Sequence, residues 1–194
     1  MEGIKYTEIM GPNVLDKVKF CGKEVRVYNL SKIINPQYAE LDDHCIIYDY
    51  TFIDAQKSFK LGKYSEITWH CCIEGASFVH IGDRCFLGPG TKILGSTYKF
   101  DGYYSVQHLP EGASEVRYGG VIIKDDAYIG ANCVIMPGVT IGEGALIGAG
   151  SFVNKDVEPW SICVGTPAKK VRDRQKPTED RRAIIEAMNW SNHL

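Results

Sequence analysis

Four side chains of this sequence have the chemistry of a general base: His108, His80, His70 and Glu74. Imidazoles and carboxylates accept protons in many enzymes, provided that they are positioned beside the reacting group. His108 lies in a segment, residues 94–120, that breaks the pattern of the flanking chain. Because catalytic groups are concentrated on loops held by a scaffold, we place His108 first and His80 second. For each histidine, a surface or hydrogen-bonded structural role is the alternative.

The segment around His108 is rich in tyrosine. Residues 94–120 contain Tyr98, Asp101, Tyr103 and Tyr104 among amide, hydroxyl and charged side chains. An irregular excursion of this length usually has a function of its own. A loop that packs copies of the chain together is the alternative, and both roles can hold at once.

The composition limits the class of protein. The 194 residues carry 22 Lys and Arg against 24 Asp and Glu, and this net charge of −2 argues against a surface for nucleic acid. The N-terminus has no apolar signal region, and no apolar run approaches membrane-spanning length. We therefore expect a cytoplasmic protein without membrane insertion. The seven cysteines match no common zinc spacing, so no metal site is predicted.

A repeat of six residues indicates the fold. From residue 123, a bulky aliphatic side chain returns at every sixth position, with a small or β-branched one two residues before it. This period matches neither an α-helix nor a simple alternating strand, but it suits a short strand and a tight turn repeated around a triangular coil. The aliphatic positions are Ile123, Ile129, Ile135, Ile141, Ile147 and Val153, and the small positions are Val121, Ala127, Cys133, Val139, Ala145 and Ser151.

The upstream half follows the same rule with interruptions. Its aliphatic and small positions are both predicted to point into the coil. Four cysteines occupy small positions and are therefore interpreted as buried core thiols: Cys45, Cys71, Cys85 and Cys133. The upstream aliphatic positions are Ile47, Ile53, Leu61, Ile67, Ile73, Ile81, Leu87 and Ile93.

Three stretches of the repeat resemble the hexapeptide-repeat acyltransferases. They are IGANCVIMPGVTIGEGALIGAGS at 129–151, VNKDVEP at 153–159 and VGTPAKKV at 164–171. The resemblance is specific over about residues 61–172 and weaker over 41–60. It implies a mainly β fold, the left-handed parallel β-helix, in an acetyl-CoA-dependent homotrimer. Within the family, the sequence is similar to bacterial enzymes that acetylate nucleotide-linked amino sugars for surface polysaccharides such as lipopolysaccharide.

The resemblance also implies a donor site. In the family, the pantetheine arm of CoA lies in a groove between adjoining subunits and bonds mainly to main-chain groups. Matching motif to motif places Ala131 and Ala149 along this groove. Asn154 and Lys155 correspond to residues that contact the end of the arm and the nucleotide. We further expect a main-chain N–H near Gly130 to stabilise the oxyanion that forms during acyl transfer.

Basic residues downstream of the repeat are candidates to offset the phosphate charges of CoA. They are Lys169, Lys170 and Arg172. A guanidinium or ammonium group can form charge-assisted hydrogen bonds to phosphate. For the two lysines, a solvated surface charge is an equally good interpretation.

One departure from the family pattern bears on the acceptor. Many members carry a catalytic histidine in a sequence like Gly-x-Asn-His-x-Met-Asp-Gly, but residues 95–102 here read GSTYKFDG, with Tyr98 in the histidine position. A sugar hydroxyl needs a base to attack a thioester, whereas an amine is partly neutral and already nucleophilic. The departure therefore favours N-acetylation of an amino sugar. In the family, such a loop helps form the acceptor site beside a neighbouring subunit, which would bring in Asp101, Tyr103 and Tyr104.

Two other functions stay open. One is O-acetylation of a sugar or of a small xenobiotic molecule. The other is a non-catalytic β-helix scaffold, which the intact Gly-Ala-Gly-Ser-x-Val-x-Lys segment at 148–155 and the tyrosine-rich loop disfavour.

The ends of the chain lie outside the repeat. Residues 1–40 are predicted to cap the open end of a coil over 41–172, with a possible hairpin between 17–20 and 24–28. Residues 173–194 are predicted to form a helix that begins at Thr178 and packs an apolar stripe over the last coil. The stripe contains Ile184, Ile185 and Met188, and Trp190 could extend it.

Overall fold

The computed structural model describes residues 10–106 and 109–187, so His108, Met188 and Trp190 lie outside the described residues. Short 3-10 helices cover Gly11–Val14 and Pro36–Tyr38, and helix α1 covers Glu179–Ala187. The strands in chain order are β1 Phe20–Cys21, β2 Arg26–Val27, β3 Lys32–Ile34, β4 Ala39–Leu41, β5 Ile46–Ile47, β6 Phe52–Asp54, β7 Ser58–Leu61, β8 Glu66–Ile67, β9 Cys72–Glu74, β10 Phe78–Ile81, β11 Phe86–Leu87, β12 Lys92–Leu94, β13 Ser96–Tyr98, β14 Val116–Tyr118, β15 Val121–Ile123, β16 Tyr128–Ile129, β17 Val134–Ile135, β18 Thr140–Ile141, β19 Leu146–Ile147, β20 Phe152–Val153, β21 Ser161–Val164 and β22 Lys169–Asp173.

Successive strands belong in turn to three different sheets. Face 1 has the order β1-β4-β7-β10-β15-β18, face 2 the order β2-β5-β8-β11-β16-β19-β21-β22, and face 3 the order β3-β6-β9-β12-β17-β20. Neighbouring strands within a face are parallel, except that β21 and β22 are antiparallel. One turn of the chain therefore contributes one strand to each face. This arrangement confirms the predicted left-handed parallel β-helix.

The six-residue register places the predicted side chains inside the coil. Ile129, Ile135, Ile141 and Ile147 are fully buried, as are the small residues between them. Each buried isoleucine contributes about 1.5–3 kcal/mol relative to exposure. The four predicted core thiols are also buried, and desolvation raises the pKa of Cys45 to about 12.

Corners join the faces through residues in the left-handed region. Between faces 2 and 3, the corner residues include Tyr50 with φ 61°, His70 with φ 60° and Asn132 with φ 57°. Gly90 and Gly150 occupy the equivalent positions of other coils, with φ 75° and 71°. Asparagine and glycine tolerate this conformation. The corner between faces 2 and 3 is called the 2–3 corner below, and that between faces 3 and 1 the 3–1 corner.

The hairpin predicted within residues 1–40 is wrong. Strand β1 pairs in parallel with β4, and β2 pairs in parallel with β5. Strands β1 and β2 therefore lie on different faces and start the first coil. The buried Val27 and Ile33 already occupy the aliphatic positions of the repeat. The β-helix begins well before residue 41.

The predicted loop leaves the β-helix at the 3–1 corner, between β12 and β15. Its two arms form an antiparallel ribbon in which Thr97 pairs with Arg117 and Tyr98 with Val116. The root is fixed to the coil because the Gly95 N–H donates to the Glu74 carbonyl at 2.7 Å. The loop is thus a protruding ribbon on a rigid base.

Helix α1 forms as predicted, but its described part does not pack on the last coil. No residue of α1 is buried, and Ile184 and Ile185 are 61% and 40% exposed. Beyond the last coil, β22 pairs with β21 and extends face 2 by one strand.

We predict that Ile141→Asp prevents folding, because the side chain is fully buried and an unpaired carboxylate there costs several kcal/mol of a marginal total stability. The control is Glu143→Gln, two residues away on the exposed side. Thermal unfolding followed by circular dichroism checks both. A melting temperature of Ile141→Asp within a few degrees of wild type would contradict the register.

Candidate functional site

The downstream part of the 2–3 corner is a strip of small residues. The Gly150 N–H donates to the Ala131 carbonyl at 2.8 Å, so the predicted donor residues Ala131 and Ala149 lie on consecutive coils. Ala149 is exposed and Ala131 is half-buried. A Cβ at Gly130 would come within 2.5 Å of the Ala149 nitrogen, so close stacking of the coils requires glycine there. The result is a smooth outer surface whose main chain is accessible.

Gly130 itself is not available for the predicted oxyanion contact. Its N–H donates to the Ile147 carbonyl at 2.8 Å as part of the ladder between coils. The predicted oxyanion contact near Gly130 therefore needs a neighbouring main-chain donor, because the N–H of Gly130 is already used. Within the described chain, the N–H of the next residue, Ala131, donates to no protein acceptor.

The upstream part of the same corner is aromatic. The rings of Tyr28 and Tyr48 stack with centroids 5.1 Å apart, and Trp69 lies 4.8 Å from Tyr48. Tyr50 and His70 form a second stack at 4.9 Å. The six-residue pattern does not reveal this aromatic surface, although its residues occupy the turn positions of three successive coils.

Asn154 and Lys155 lie at a different corner. They follow β20 of face 3, so the width of face 3 separates them from Ala149 on the 2–3 corner. Both side chains are exposed. One chain therefore does not bring all four predicted donor residues to a single edge.

The basic residues after the repeat lie on β22, at the end of face 2. Lys169 and Arg172 are exposed, and the ammonium of Lys170 is 2.8 Å from both Glu158 and Asp173. These carboxylates raise the pKa of Lys170 and compensate its charge. Lys170 is therefore a poorer candidate than Lys169 or Arg172 to bind a phosphate group of CoA.

The tyrosine-rich loop presents most of its predicted residues to solvent. Asp101, Tyr103 and Tyr104 are exposed beyond the ribbon, whereas Tyr98 is half-buried within it. An ion pair between Lys99 and Glu115 joins the two arms. Within the described chain, the ribbon starts at the 3–1 corner and the small-residue strip lies at the 2–3 corner, so the two predicted subsites are separate.

His80 lies on the outer side of face 1, between Lys60 and Ile122 on the neighbouring strands. Its Nε2 is 2.9 Å from the Ser58 hydroxyl. Desolvation and the positive charge of Lys60 lower the pKa of His80. A neutral imidazole near pH 7 can accept a proton, which is what a base requires. Ser58 is 22 residues away from His80 in the chain, and no sequence pattern links the two residues.

The other two candidate bases are held in structural contacts. His70 has its ring against Tyr50 at the 2–3 corner. Glu74 accepts a hydrogen bond from the Ser96 hydroxyl at 3.3 Å, where the loop leaves the coil.

Residues 10–106 and 109–187 contain no group of three His, Cys, Asp or Glu side chains arranged to hold a metal ion. Among the same residues, no helix has the length and hydropathy needed to cross a membrane.

Known proteins share both the repeat and the fold. The family model described as bacterial transferase hexapeptide (six repeats) matches residues 120–155. A chloramphenicol acetyltransferase of Morganella morganii is 30% identical over 164 residues, which cover 70% of this chain and 76% of the relative. The dTDP-4-amino-4,6-dideoxy-D-glucose acyltransferase of Escherichia coli is 28% identical over 195 residues, which cover 100% of this chain and 98% of the relative.

A solved structure is similar over most of its length. It is a variant of AntD, an N-acyltransferase from Bacillus cereus, in complex with dTDP and coenzyme A, with a TM-score of 0.81 and 26% identity over 88% of this chain and 92% of AntD. Other curated acetyltransferases match over only 55%, 61% and 58% of their own length, so the chain spans little more than half of them. Together with the coil geometry, these similarities show that the chain belongs to the hexapeptide-repeat acyltransferase family.

We predict that the His80 imidazole titrates below pH 6.5 in the folded protein, as measured by NMR. The folded state favours the neutral form, so protonation of His80 disfavours folding as the pH falls below 6.5. Lys60→Gln removes a positive charge and should raise the pKa of His80. A pKa above 6.5 in wild type, or no change in Lys60→Gln, would contradict the assigned cause.

Proposed function

We propose that this protein is an acetyl-CoA-dependent N-acetyltransferase whose acceptor is a nucleotide-linked amino sugar, and that it acts in surface polysaccharide synthesis as a cytoplasmic homotrimer. The observation that carries the proposal is the exposed strip of small residues at the 2–3 corner of a β-helix whose ribbon protrudes from another corner. The end-to-end similarity to a dTDP-amino-sugar acyltransferase supports the choice of acceptor.

The small-residue strip fits the pantetheine arm of an acyl-CoA. A Cβ at Gly150 would meet no heavy atom within 4 Å, so the space outside this corner is open. Ala131 and Ala149 leave the main chain accessible, and an extended arm with amide groups can bond to main-chain groups. Bound CoA supplies an activated acyl group as a thioester. The chain's own residues have to hold the arm and orient the carbonyl carbon.

The separation of the subsites supports a site shared between two copies. Asn154 and Lys155 lie across face 3 from the small-residue strip, and the ribbon starts at the 3–1 corner. When the 2–3 corner of one copy lies against the 3–1 side of the next, all these residues border one groove. A cyclic trimer repeats this contact three times and closes.

The proposed chemistry is acyl transfer to an amine. The amine nitrogen attacks the thioester carbon, the carbon–sulfur bond breaks, and one proton leaves the nitrogen while the thiolate departs. We place the oxyanion at the free N–H of Ala131 instead of that of Gly130, because only the former lacks a protein acceptor. His108 is proposed to accept the proton.

We predict that Ala149→Trp abolishes acetyl-CoA binding and leaves the circular dichroism spectrum unchanged, because the side chain is exposed and the indole would fill the groove. The matched control is Glu143→Trp, the same bulk at an exposed position outside the 2–3 corner. Calorimetry with acetyl-CoA measures both variants. If Ala149→Trp binds acetyl-CoA as tightly as wild type, the acetyl-CoA site lies elsewhere on the protein. If wild type itself does not bind acetyl-CoA, the non-catalytic β-helix scaffold is the better interpretation.

We predict that His108→Asn lowers turnover by roughly 10²–10⁴-fold, the usual contribution of a general base, without changing acetyl-CoA affinity. His80→Asn, His70→Asn and Glu74→Gln should change turnover far less, because each side chain already has a structural partner. The readout is the pH–rate profile with a dTDP-linked amino sugar. An unchanged profile in His108→Asn would show that the amine loses its proton to water, and a large loss in His80→Asn would assign the base to His80.

A further inference from the structure

The aromatic surface of the 2–3 corner has no role in the donor site. We define it as the aromatic corner: Tyr28, Tyr48, Tyr50, Trp69 and His70. The first coil contributes Tyr28, the second contributes Tyr48 and Tyr50, and the third contributes Trp69 and His70. Their rings lie on the outside of the β-helix and contribute nothing to its core.

These rings expose much of their surface. Trp69 is 45% exposed, Tyr50 57% and Tyr28 41%. The hydroxyl and imidazole groups at their edges make the surface partly polar. Flat rings with polar edges are suited to a planar, polar heterocycle more than to an alkyl chain.

The aromatic corner continues directly into the small-residue strip. The Gly90 N–H donates to the Trp69 carbonyl at 2.9 Å, and the Asn132 N–H donates to the Pro89 carbonyl at 2.8 Å. Trp69 is therefore two coils upstream of Ala131, which corresponds to about 10 Å along the corner. A molecule bound at Trp69 can reach the place where the acyl group is proposed to lie.

A lysine lies between the two surfaces. Lys92 is exposed, and its Nζ donates to the Gly90 carbonyl at 2.9 Å, which holds the ammonium at the corner. None of the ion pairs of the described residues involves Lys92. Its positive charge is therefore not compensated by a carboxylate of the described chain, and it is available for an anionic ligand.

We propose that the aromatic corner binds the nucleobase of the acceptor, with Trp69 as the main stacking partner and Lys92 as a contact of the diphosphate. This inference rests on the proposed function. The order along the corner is aromatic rings, then a cation, then the acyl-transfer point, and a nucleotide-linked sugar has the matching order of base, diphosphate and amino sugar. Direct packing of a second copy on these rings, with no groove between the copies, would instead bury the ammonium of Lys92.

The test is the binding of dTDP, measured by calorimetry on the full chain. Trp69→Ala should weaken the affinity by roughly 10- to 100-fold, as expected for the loss of one base–aromatic stack. Trp69→Phe keeps a ring and should recover most of the affinity. The matched control is Tyr64→Ala, because Tyr64 also stacks on a histidine ring, that of His44, but lies at the corner between faces 1 and 2. Acetyl-CoA affinity should not change in any of these variants.

Lys92→Gln tests the second contact. It should weaken dTDP binding and also flatten its dependence on ionic strength, because a charge–charge contact is lost. Trp69→Ala should leave that dependence as steep as in wild type. Equal salt dependence in wild type and Lys92→Gln would remove Lys92 from the subsite.

The outcomes separate this inference from the proposed function. If wild type binds dTDP and acylates a dTDP-linked amino sugar while Trp69→Ala binds dTDP equally well, the aromatic corner is not the base subsite. If Trp69→Ala dissociates the assembly, as a lower sedimentation coefficient would show, the Trp69 ring packs directly against the next copy instead of lining an open groove, and the inference also fails. If wild type neither binds dTDP nor acylates such a sugar, the proposed function itself fails.

Discussion

The coils of this chain close because side chains from all three faces, mostly a small and an aliphatic one per coil and face, point inward and fill a narrow triangular interior. Ile129, Ile135 and Ile141 come from three different faces and are all fully buried. The interior has no room for a ligand. Any chemistry has to occur on outward-facing residues of the faces, at the corners, or on the segment that leaves the coil. The position of every candidate functional group therefore follows from the register of the inward side chains.

The sequence predicted the coil where the register is unbroken. Six-residue spacing from residue 123 placed each buried isoleucine correctly, because this period is specific to a strand-plus-turn unit. The first coil was missed since its residues, such as Val27 and Ile33, are separated by turns that resemble those of a hairpin. Parallel pairing of β1 with β4 involves residues 20 positions apart, and only the three-dimensional structure reveals it.

Motifs in the sequence could indicate individual residues of the candidate site, but not how these residues lie relative to one another in space. Motif matching placed Ala131 and Ala149 on one strip, and the structure stacks them on consecutive coils. Motif matching gave no information on which main-chain donors the ladder between coils already uses, so the sequence could indicate only the neighbourhood of Gly130 and not the N–H that stays free. The pairing of Ser58 with His80 and the row of rings ending at Trp69 also arise from contacts between coils, which a linear pattern does not show.

These findings point to a site that one copy cannot complete. The small-residue strip and the aromatic corner share the 2–3 corner, while the ribbon and Lys155 belong to the other side of face 3. A donor held on one corner and a loop reaching from another can meet across a contact between two copies. The proposed trimer would then be part of the catalytic site as well as a means of stabilisation.

The most direct test of this shared site is complementation between two inactive variants. One is Ala149→Trp, and the other replaces residues 100–114 of the ribbon by a short turn. If donor strip and loop belong to different copies, coexpressed mixed trimers contain intact sites and should regain up to about one quarter of wild-type activity, the random share for a cyclic arrangement. Mixed trimers that are confirmed by mass spectrometry and show no activity would contradict the account and place the site within one chain.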